Sequence, residues 1–134
     1  MQNLEGTAYG RTAAVPDEDA FLTHVGFGTP VGELLRRYWQ PVALSAELGD
    51  LPRKIRILDE ELVVFRDASG RAGLLDAHCC HRGVSLEYGR LEPDGIRCCY
   101  HGWLYDVEGN CLDQPCDPAA NDYAKKVRQP WYPV

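Results

Sequence analysis

The sequence has no long apolar run, and its basic residues are outnumbered by its acidic ones. No segment approaches the roughly 20 apolar residues that a membrane-spanning helix needs, so the sequence predicts no membrane span. The 134 residues carry 14 basic and 20 acidic side chains, a net charge of −6, which disfavours nucleic acid as the main partner because phosphate binding needs a basic surface. Met1 to Ala14 lacks the basic-then-apolar pattern of an export signal. We therefore expect a cytoplasmic protein.

The composition is that of one globular domain. Hydrophobic residues make up 45% and charged residues 25% of the chain, which argues against disorder. The length matches a single domain. We expect a loose N-terminal segment over residues 1–16, a helical extension over 17–50 and a β domain over 51–134.

Local patterns predict short helices followed by strands. Residues 16–19 (PDED) are typical of a helix start, and Thr29 followed by Pro30 predicts an amphipathic helix over residues 30–40. From Lys54 onwards the period changes to two. The predicted strands cover residues 54–58, 61–66, 73–76, a hairpin across 104–112, and 127–134. This pattern predicts a mainly β fold, a small antiparallel barrel or sandwich with an N-terminal helical extension.

Four of the six cysteines form two adjacent pairs, each close to a histidine. Taken as ligands, Cys79 and His81 form a C-x-H pair, and Cys98 and His101 form a C-x-x-H pair. A glycine follows each pair, which lets each loop turn tightly. Two loops that each offer one thiolate and one imidazole supply the ligand set of a Rieske [2Fe–2S] cluster.

Three segments resemble the oxygenase components of aromatic-ring-hydroxylating dioxygenases of the phthalate dioxygenase type. They are residues 79–86 (CCHRGVSL), 97–103 (RCCYHGW) and 28–42 (GTPVGELLRRYWQPV). The resemblance covers about residues 19–134. It implies that residues 51–134 are a Rieske [2Fe–2S] domain, in which Cys79 and Cys98 bind one iron while His81 and His101 bind the other.

The function implied by this resemblance is one-electron transfer within a larger oxygenase. Its donor would be an NADH-dependent reductase or a ferredoxin, and its acceptor a mononuclear-iron catalytic domain, with a homotrimer as the assembly found in the full-length family. Such a catalytic domain needs two histidines and a carboxylate around an open iron site. Beyond the cluster ligands the sequence holds only His24 and His78. We therefore expect a Rieske domain without its catalytic domain, cut short near its C-terminal end, with no catalytic residue of its own.

Two alternatives stay open at this point. A free-standing Rieske ferredoxin fits the length, whereas the helix around residues 34–39 favours an oxygenase. A Cys₂His₂ zinc site would use the same four ligands in a redox-silent module, although zinc signatures usually pair like with like.

The remaining cysteines and histidines are expected to play lesser parts. Cys80 and Cys99 should pack beneath the two loops as small apolar groups. His24 and His78 are expected at the surface or in hydrogen bonds. No function is assigned to Cys111 and Cys116.

Three neighbouring positions indicate a low reduction potential. High-potential relatives carry an additional cysteine in each loop, and these two cysteines form a disulfide. Val84 and Tyr100 stand at those positions here, and Trp103 replaces a serine whose hydroxyl bonds a bridging sulfur. Trp103 is interpreted as a core or interface anchor. Arg82 is either a donor to the cluster surroundings or a surface charge.

Overall fold

The computed structural model describes residues 18–118 and 122–134, and two antiparallel four-stranded sheets form its framework. The predictions for residues 1–16, and for Pro16 and Asp17 as part of a helix start, lie outside the described residues. The strands are β1 (Arg53–Ile57), β2 (Glu60–Arg66), β3 (Ala72–Asp76), β4 (Arg90–Glu92), β5 (Gly95–Arg97), β6 (Leu104–Tyr105), β7 (Cys111–Asp113) and β8 (Trp131–Tyr132).

The first sheet has the order β1-β2-β3-β8 and the second the order β4-β5-β6-β7. Hairpins join β1 to β2 and β4 to β5, and the predicted hairpin across residues 104–112 is formed by β6 and β7. The prediction of a mainly β antiparallel fold is confirmed. Of the two architectures considered, the closed barrel is wrong, because the described strands form two separate sheets.

The main core contains apolar side chains from both sheets and from the two loops that carry the Cys/His motifs. In β2 the side chains of residues 62–65 are all buried, with Val63 and Phe65 in this main core and Leu62 and Val64 in a second cluster on the other face. The buried members are Val63, Phe65, Leu75, Ala77, Cys79, Leu86, Ile96, Cys98, Tyr105 and Cys111. Two of the candidate ligands are thus part of the core.

Two short α-helices, α1 (Ala20–Thr23) and α2 (Pro30–Leu35), precede the sheets. Among the described residues, 3₁₀ turns cover Ser45–Glu47, Leu86–Tyr88 and Tyr123–Lys126. The start of α2 is as predicted: the Thr29 hydroxyl accepts from the Gly32 N–H at 3.2 Å, and Pro30 opens the helix.

The predicted extent of that second helix, residues 30–40, is wrong, because α2 ends at Leu35. The next residue, Arg36, is drawn towards the β1–β2 hairpin, where its guanidinium donates to the Leu58 carbonyl at 2.8 Å and to Glu60 at 2.6 Å. The apolar side chains beyond it find nothing to cover them, and Trp39 is 80% exposed. Helical periodicity alone cannot extend a helix whose apolar face is left without packing.

The predicted last strand is also shorter than expected. Residues 127–134 contribute only β8 to the first sheet. Pro130 and Pro133 flank these two residues, and proline has no N–H to donate to a neighbouring strand. No helix among the described residues is long and apolar enough to cross a membrane.

Candidate metal centre

The two motifs fold into loops with the same backbone hydrogen bonds. The first loop comprises residues 79–84 and the second loop residues 98–103. In each, the N–H of the opening cysteine donates to the carbonyl five residues later, at 2.9 Å and 2.8 Å. The N–H of Gly83 and that of Gly102 return to the cysteine carbonyl at 2.7 Å and 3.1 Å. Both glycines have positive φ, 73° and 76°, which explains why glycine occupies these positions.

The opening cysteines, Cys79 and Cys98, lie side by side in the core. They are 3% and 4% exposed and belong to the same buried cluster. Burial raises the pKa of the Cys98 thiol. A metal bound here therefore has to displace a proton from a thiol that is otherwise protonated at neutral pH.

The two histidines also meet. The rings of His81 and His101 have centroids 4.6 Å apart in an edge-to-face arrangement. Burial, helped by the nearby His101 and Arg82, lowers the pKa of His81, so its imidazole is neutral and has a lone pair to offer. Nδ1 of His101 is buried and finds no hydrogen-bond partner among the described residues. An orphaned buried nitrogen of this kind is expected where a metal supplies the missing partner.

Aromatic rings flank both histidines. The Trp103 indole stacks on His81, with centroids 4.2 Å apart and planes inclined by 9°. The Tyr100 ring lies 3.8 Å from that of His101. Trp103 packs against the main core as well, in agreement with its interpretation as a core anchor.

The first loop is fixed by a buried glutamine from the far end of the chain. The side-chain carbonyl of Gln129 accepts from the Cys80 N–H at 2.8 Å. Its amide donates to the carbonyls of Asp76 at 3.0 Å and His78 at 2.8 Å. Gln129 is fully buried, so these three hydrogen bonds satisfy a side-chain amide that water does not reach.

The second loop is fixed by an arginine. Arg97 donates to the Gly102 carbonyl at 2.5 Å and to Asp113 at 2.8 Å. It also pairs with both carboxylate oxygens of Glu92, at 2.7 Å and 3.0 Å. The hydrogen bonds from Arg97 and then Arg90 lower the pKa of Glu92 to about 2. A two-pronged pair of this kind is stronger and more directional than an ordinary surface ion pair.

A buried tyrosine hydroxyl lies between two sulfurs of the first loop. The hydroxyl oxygen of Tyr105 is 3.2 Å from Sγ of Cys79 and 3.3 Å from Sγ of Cys80. Tyr105 is fully buried, and burial followed by the two thiols raises its pKa. The hydroxyl therefore keeps its proton and can donate it in a hydrogen bond.

Two expectations for the other cysteines need correction. Cys80 and Cys99 do not pack beneath the loops, because both residues are exposed. The sulfur of Cys80 nevertheless lies 3.3 Å from the hydroxyl oxygen of the buried Tyr105. Cys111 is buried, with its sulfur 3.6 Å from the Gln114 amide nitrogen, whereas Cys116 is exposed.

The remaining polar candidates lie at the surface. His24 pairs with Glu18 at 2.8 Å, and His78 lies 3.4 Å from Glu61, as expected of residues that are not ligands. Arg82 is exposed and acts on His81 through its charge. Of its two interpretations, a surface charge agrees better with this position.

The donor set fits a two-iron cluster better than a single ion. Within residues 18–118 and 122–134, no three His, Cys, Asp or Glu side chains are grouped as ligands of one ion. A structural zinc site needs four ligands around one point. A Rieske cluster needs only two per iron, one pair of thiolates and one pair of imidazoles. The paired thiols, the paired imidazoles and the orphaned Nδ1 agree with the second requirement.

Three residues that support the loops were missed from sequence. The sequence places Tyr105 in a predicted hairpin but gives no sign of its contact with the first loop. Gln129 lies 49 residues from the backbone amide that it binds. Arg97 adjoins the second motif, and a charged residue directly before a buried cysteine was the one signal available. None of the three forms a local pattern with a ligand that would reveal its role.

Comparisons with known proteins agree with this reading of the site. The family model described as the Rieske [2Fe-2S] domain matches residues 38–127. Phenoxybenzoate dioxygenase subunit alpha from Ectopseudomonas oleovorans is 57% identical over 129 residues, which are 96% of this chain and 31% of that protein. The oxygenase subunit of tert-butanol monooxygenase / tert-amyl alcohol desaturase from Aquincola tertiaricarbonis is 53% identical over 84% of this chain and 24% of that protein.

Solved structures give the same picture. A reduced complex between oxygenase and ferredoxin in carbazole 1,9a-dioxygenase matches 72% of this chain and 25% of that chain, with 32% identity and a TM-score of 0.62. The predicted resemblance to oxygenase subunits of the phthalate dioxygenase type is confirmed. The chain spans under a third of the length of the curated relatives that it matches, 31% and 24% for the two named here.

Proposed function

The chain belongs to the Rieske [2Fe-2S] domain family, and from this premise we propose that Cys79 and Cys98 hold one iron of its cluster while His81 and His101 hold the other. The observation that carries this assignment is the orphaned Nδ1 of His101, in a ring that adjoins that of His81. The two thiols buried in the same core cluster supply the other half of the ligand set.

The bound cluster supplies reversible uptake of one electron. The chain's own residues hold the ligands and adjust their surroundings. Gln129 and Arg97 fix the two loops through backbone groups, so that the ligands need little rearrangement when the charge changes. The Tyr105 hydroxyl donates towards the Cys79 sulfur, and a hydrogen bond to a ligand sulfur stabilises the more negative, reduced state.

The histidine end of the site is proposed as the place where electrons enter and leave. His81 and His101 are partly exposed, whereas both candidate cysteine ligands are buried. Tyr100, which is exposed, borders them together with Trp103. A redox partner that docks on this end approaches the two imidazole rings directly.

The donor is proposed to be an NADH-dependent reductase or a ferredoxin. A structural neighbour of this chain is an oxygenase in complex with a ferredoxin, which supports a donor of that kind. The acceptor is proposed to be the mononuclear iron of a catalytic domain, in an oxygenase that assembles as a homotrimer and acts on an aromatic compound. Relatives named for phenoxybenzoate and phthalate support the substrate class. The six cysteines form no disulfide among the described residues, which agrees with a cytoplasmic location, where disulfides are rare.

The ligand assignment is tested by metal content and spectroscopy. The purified protein should be brown, with iron and acid-labile sulfide in about equal amounts. Its reduced form should give an EPR signal with an average g value below that of the free electron. His81→Ala and Cys98→Ala should abolish both the colour and the signal.

A matched control comes from the second cysteine of the same motif. Cys99→Ala removes a thiol next to Cys98 that is exposed and not proposed as a ligand, so this variant should keep the iron. A colourless wild-type protein with stoichiometric zinc would contradict the proposal. Loss of iron in Cys99→Ala would show that the ligand register is wrong.

A further inference from the structure

We propose that Cys80 is a positioning residue for the cluster: its thiol donates a hydrogen bond to the Tyr105 hydroxyl and thereby strengthens the bond from that hydroxyl to the Cys79 sulfur. The inference rests on the proposed function, in which Cys79 is an iron ligand. It assigns a role to Cys80, which is not one of the proposed iron ligands.

The three groups form a short chain. The Tyr105 oxygen lies 3.2 Å from the Cys79 sulfur and 3.3 Å from the Cys80 sulfur. Both distances are within hydrogen-bonding range for sulfur. Tyr105 is fully buried in the core, so water does not compete for its hydroxyl.

The number of protons fixes the direction of each bond. A cysteine bound to iron is a thiolate and carries no proton, so towards Cys79 the Tyr105 hydroxyl has to be the donor. A phenol hydroxyl has one hydrogen and accepts through its oxygen. The contact with Cys80 therefore runs the other way, with the Cys80 S–H as donor and the Tyr105 oxygen as acceptor.

The backbone holds Cys80 in place for this contact. Its N–H donates to Oε1 of Gln129 at 2.8 Å, and Gln129 also binds the carbonyls of Asp76 and His78. Although the residue as a whole is exposed, its sulfur reaches inward to Tyr105. The corresponding residue of the second loop, Cys99, is also exposed and makes no such contact among the described residues.

The expected effect is on the reduction potential. A hydroxyl that accepts one hydrogen bond becomes a stronger donor in another, because the two bonds polarise each other. A stronger bond to the Cys79 sulfur stabilises the reduced state and raises the potential. Since Cys80 acts only through Tyr105, its contribution should be smaller than that of the tyrosine and should depend on it.

The experiment compares midpoint potentials by protein-film voltammetry of the iron-loaded protein. The variants are Cys80→Ala, Tyr105→Phe, the double variant, and Cys99→Ala as the matched control. Tyr105→Phe should lower the midpoint, and Cys80→Ala should lower it by a smaller amount. In the Tyr105→Phe background, Cys80→Ala should cause no further shift, and Cys99→Ala should leave the wild-type value unchanged.

Three results would overturn the role of Cys80. They are an unchanged midpoint in Cys80→Ala, an equal shift with and without the Tyr105 hydroxyl, and a shift of the same size in Cys99→Ala. Iron content and the EPR signal are measured on every sample. An iron-free wild type refutes the proposed function itself, whereas a loaded wild type with a normal EPR signal and an unmoved Cys80→Ala midpoint refutes only this inference.

Discussion

Replacing Gln129 by alanine should lower the free energy of unfolding more than an ordinary substitution of a polar residue does. The side chain is fully buried and makes three hydrogen bonds to the backbone around the first loop, at 2.8 Å, 3.0 Å and 2.8 Å. Each such bond contributes about 1 kcal/mol net, and more when its buried partner is left unpaired. The buried methylene that is lost adds roughly 1 kcal/mol. The total of about 3–5 kcal/mol is a large part of a stability of roughly 5–15 kcal/mol.

Thermal melting of the iron-loaded protein provides the assay. At about 3–5 °C per kcal/mol for a domain of this size, Gln129→Ala should lower the melting temperature by about 10–25 °C. Loss of iron makes melting irreversible, so all samples are heated at one scan rate. The control is Gln114→Ala, since Gln114 is also buried but its side chain makes one hydrogen bond among the described residues, 3.6 Å to the Cys111 sulfur; this variant should cost about 1 kcal/mol. The reasoning is refuted if the two variants have the same melting temperature, or if Gln129→Ala melts within about 3 °C of the wild type.

The remaining predictions concern charge, loop conformation and potential. The pKa of Glu92 is lowered from 4.5 to about 2, so its pairing stabilises the folded state above pH 4.5 and is lost as the pH falls towards 2. In urea titrations Glu92→Gln should therefore be about 1–2 kcal/mol less stable than the wild type at neutral pH, with the difference disappearing in acid, whereas Glu108→Gln should match the wild type throughout. Gly83→Ala should cost about 1–2 kcal/mol in the same assay because its φ is positive, and Gly102→Ala should cost more, because its Cβ would also lie 3.1 Å from Pro115; equal costs would contradict the steric argument. The midpoint potential should lie in the lower part of the range of about −150 to +300 mV for Rieske centres, and a value above roughly +100 mV would contradict the low-potential assignment.

The sequence predicts the central strands well because their pattern reflects burial directly. The strand predicted over residues 54–58 is found at Arg53–Ile57, and that over 61–66 at Glu60–Arg66. In β1 exposed and partly buried side chains are interspersed, whereas β2 lies between two strands, is buried on both faces and forms a continuous apolar run. The second helix was overestimated because periodicity does not tell what its apolar face will pack against.

The candidate ligands were accessible to sequence reasoning because each loop is local. Cysteine, histidine and glycine lie within five residues in both loops, and the positive φ of Gly83 and Gly102 gives each glycine a physical reason. The supports of the loops are long-range. The amide of Gln129 and the hydroxyl of Tyr105 reach the first loop from 49 and 26 residues away. No spacing rule in the sequence encodes such contacts. The position of the Cys80 sulfur next to the Tyr105 hydroxyl could therefore be seen only in the structure.

The three tryptophans occupy three unlike surroundings, and this gives the protein a fluorescent indicator of its own iron content. Trp39 is 80% exposed, Trp131 lies beneath the Arg128 guanidinium at 5.2 Å, and Trp103 stacks on a proposed iron ligand. A coloured centre quenches nearby emitters by energy transfer, and Trp103 is in direct contact with His81, one of its proposed ligands. As the cluster assembles, the fluorescence of Trp103 should be quenched first, while the solvent-exposed Trp39 keeps emitting at longer wavelength. The change in the shape of the emission spectrum then measures cluster assembly in real time, without any added label.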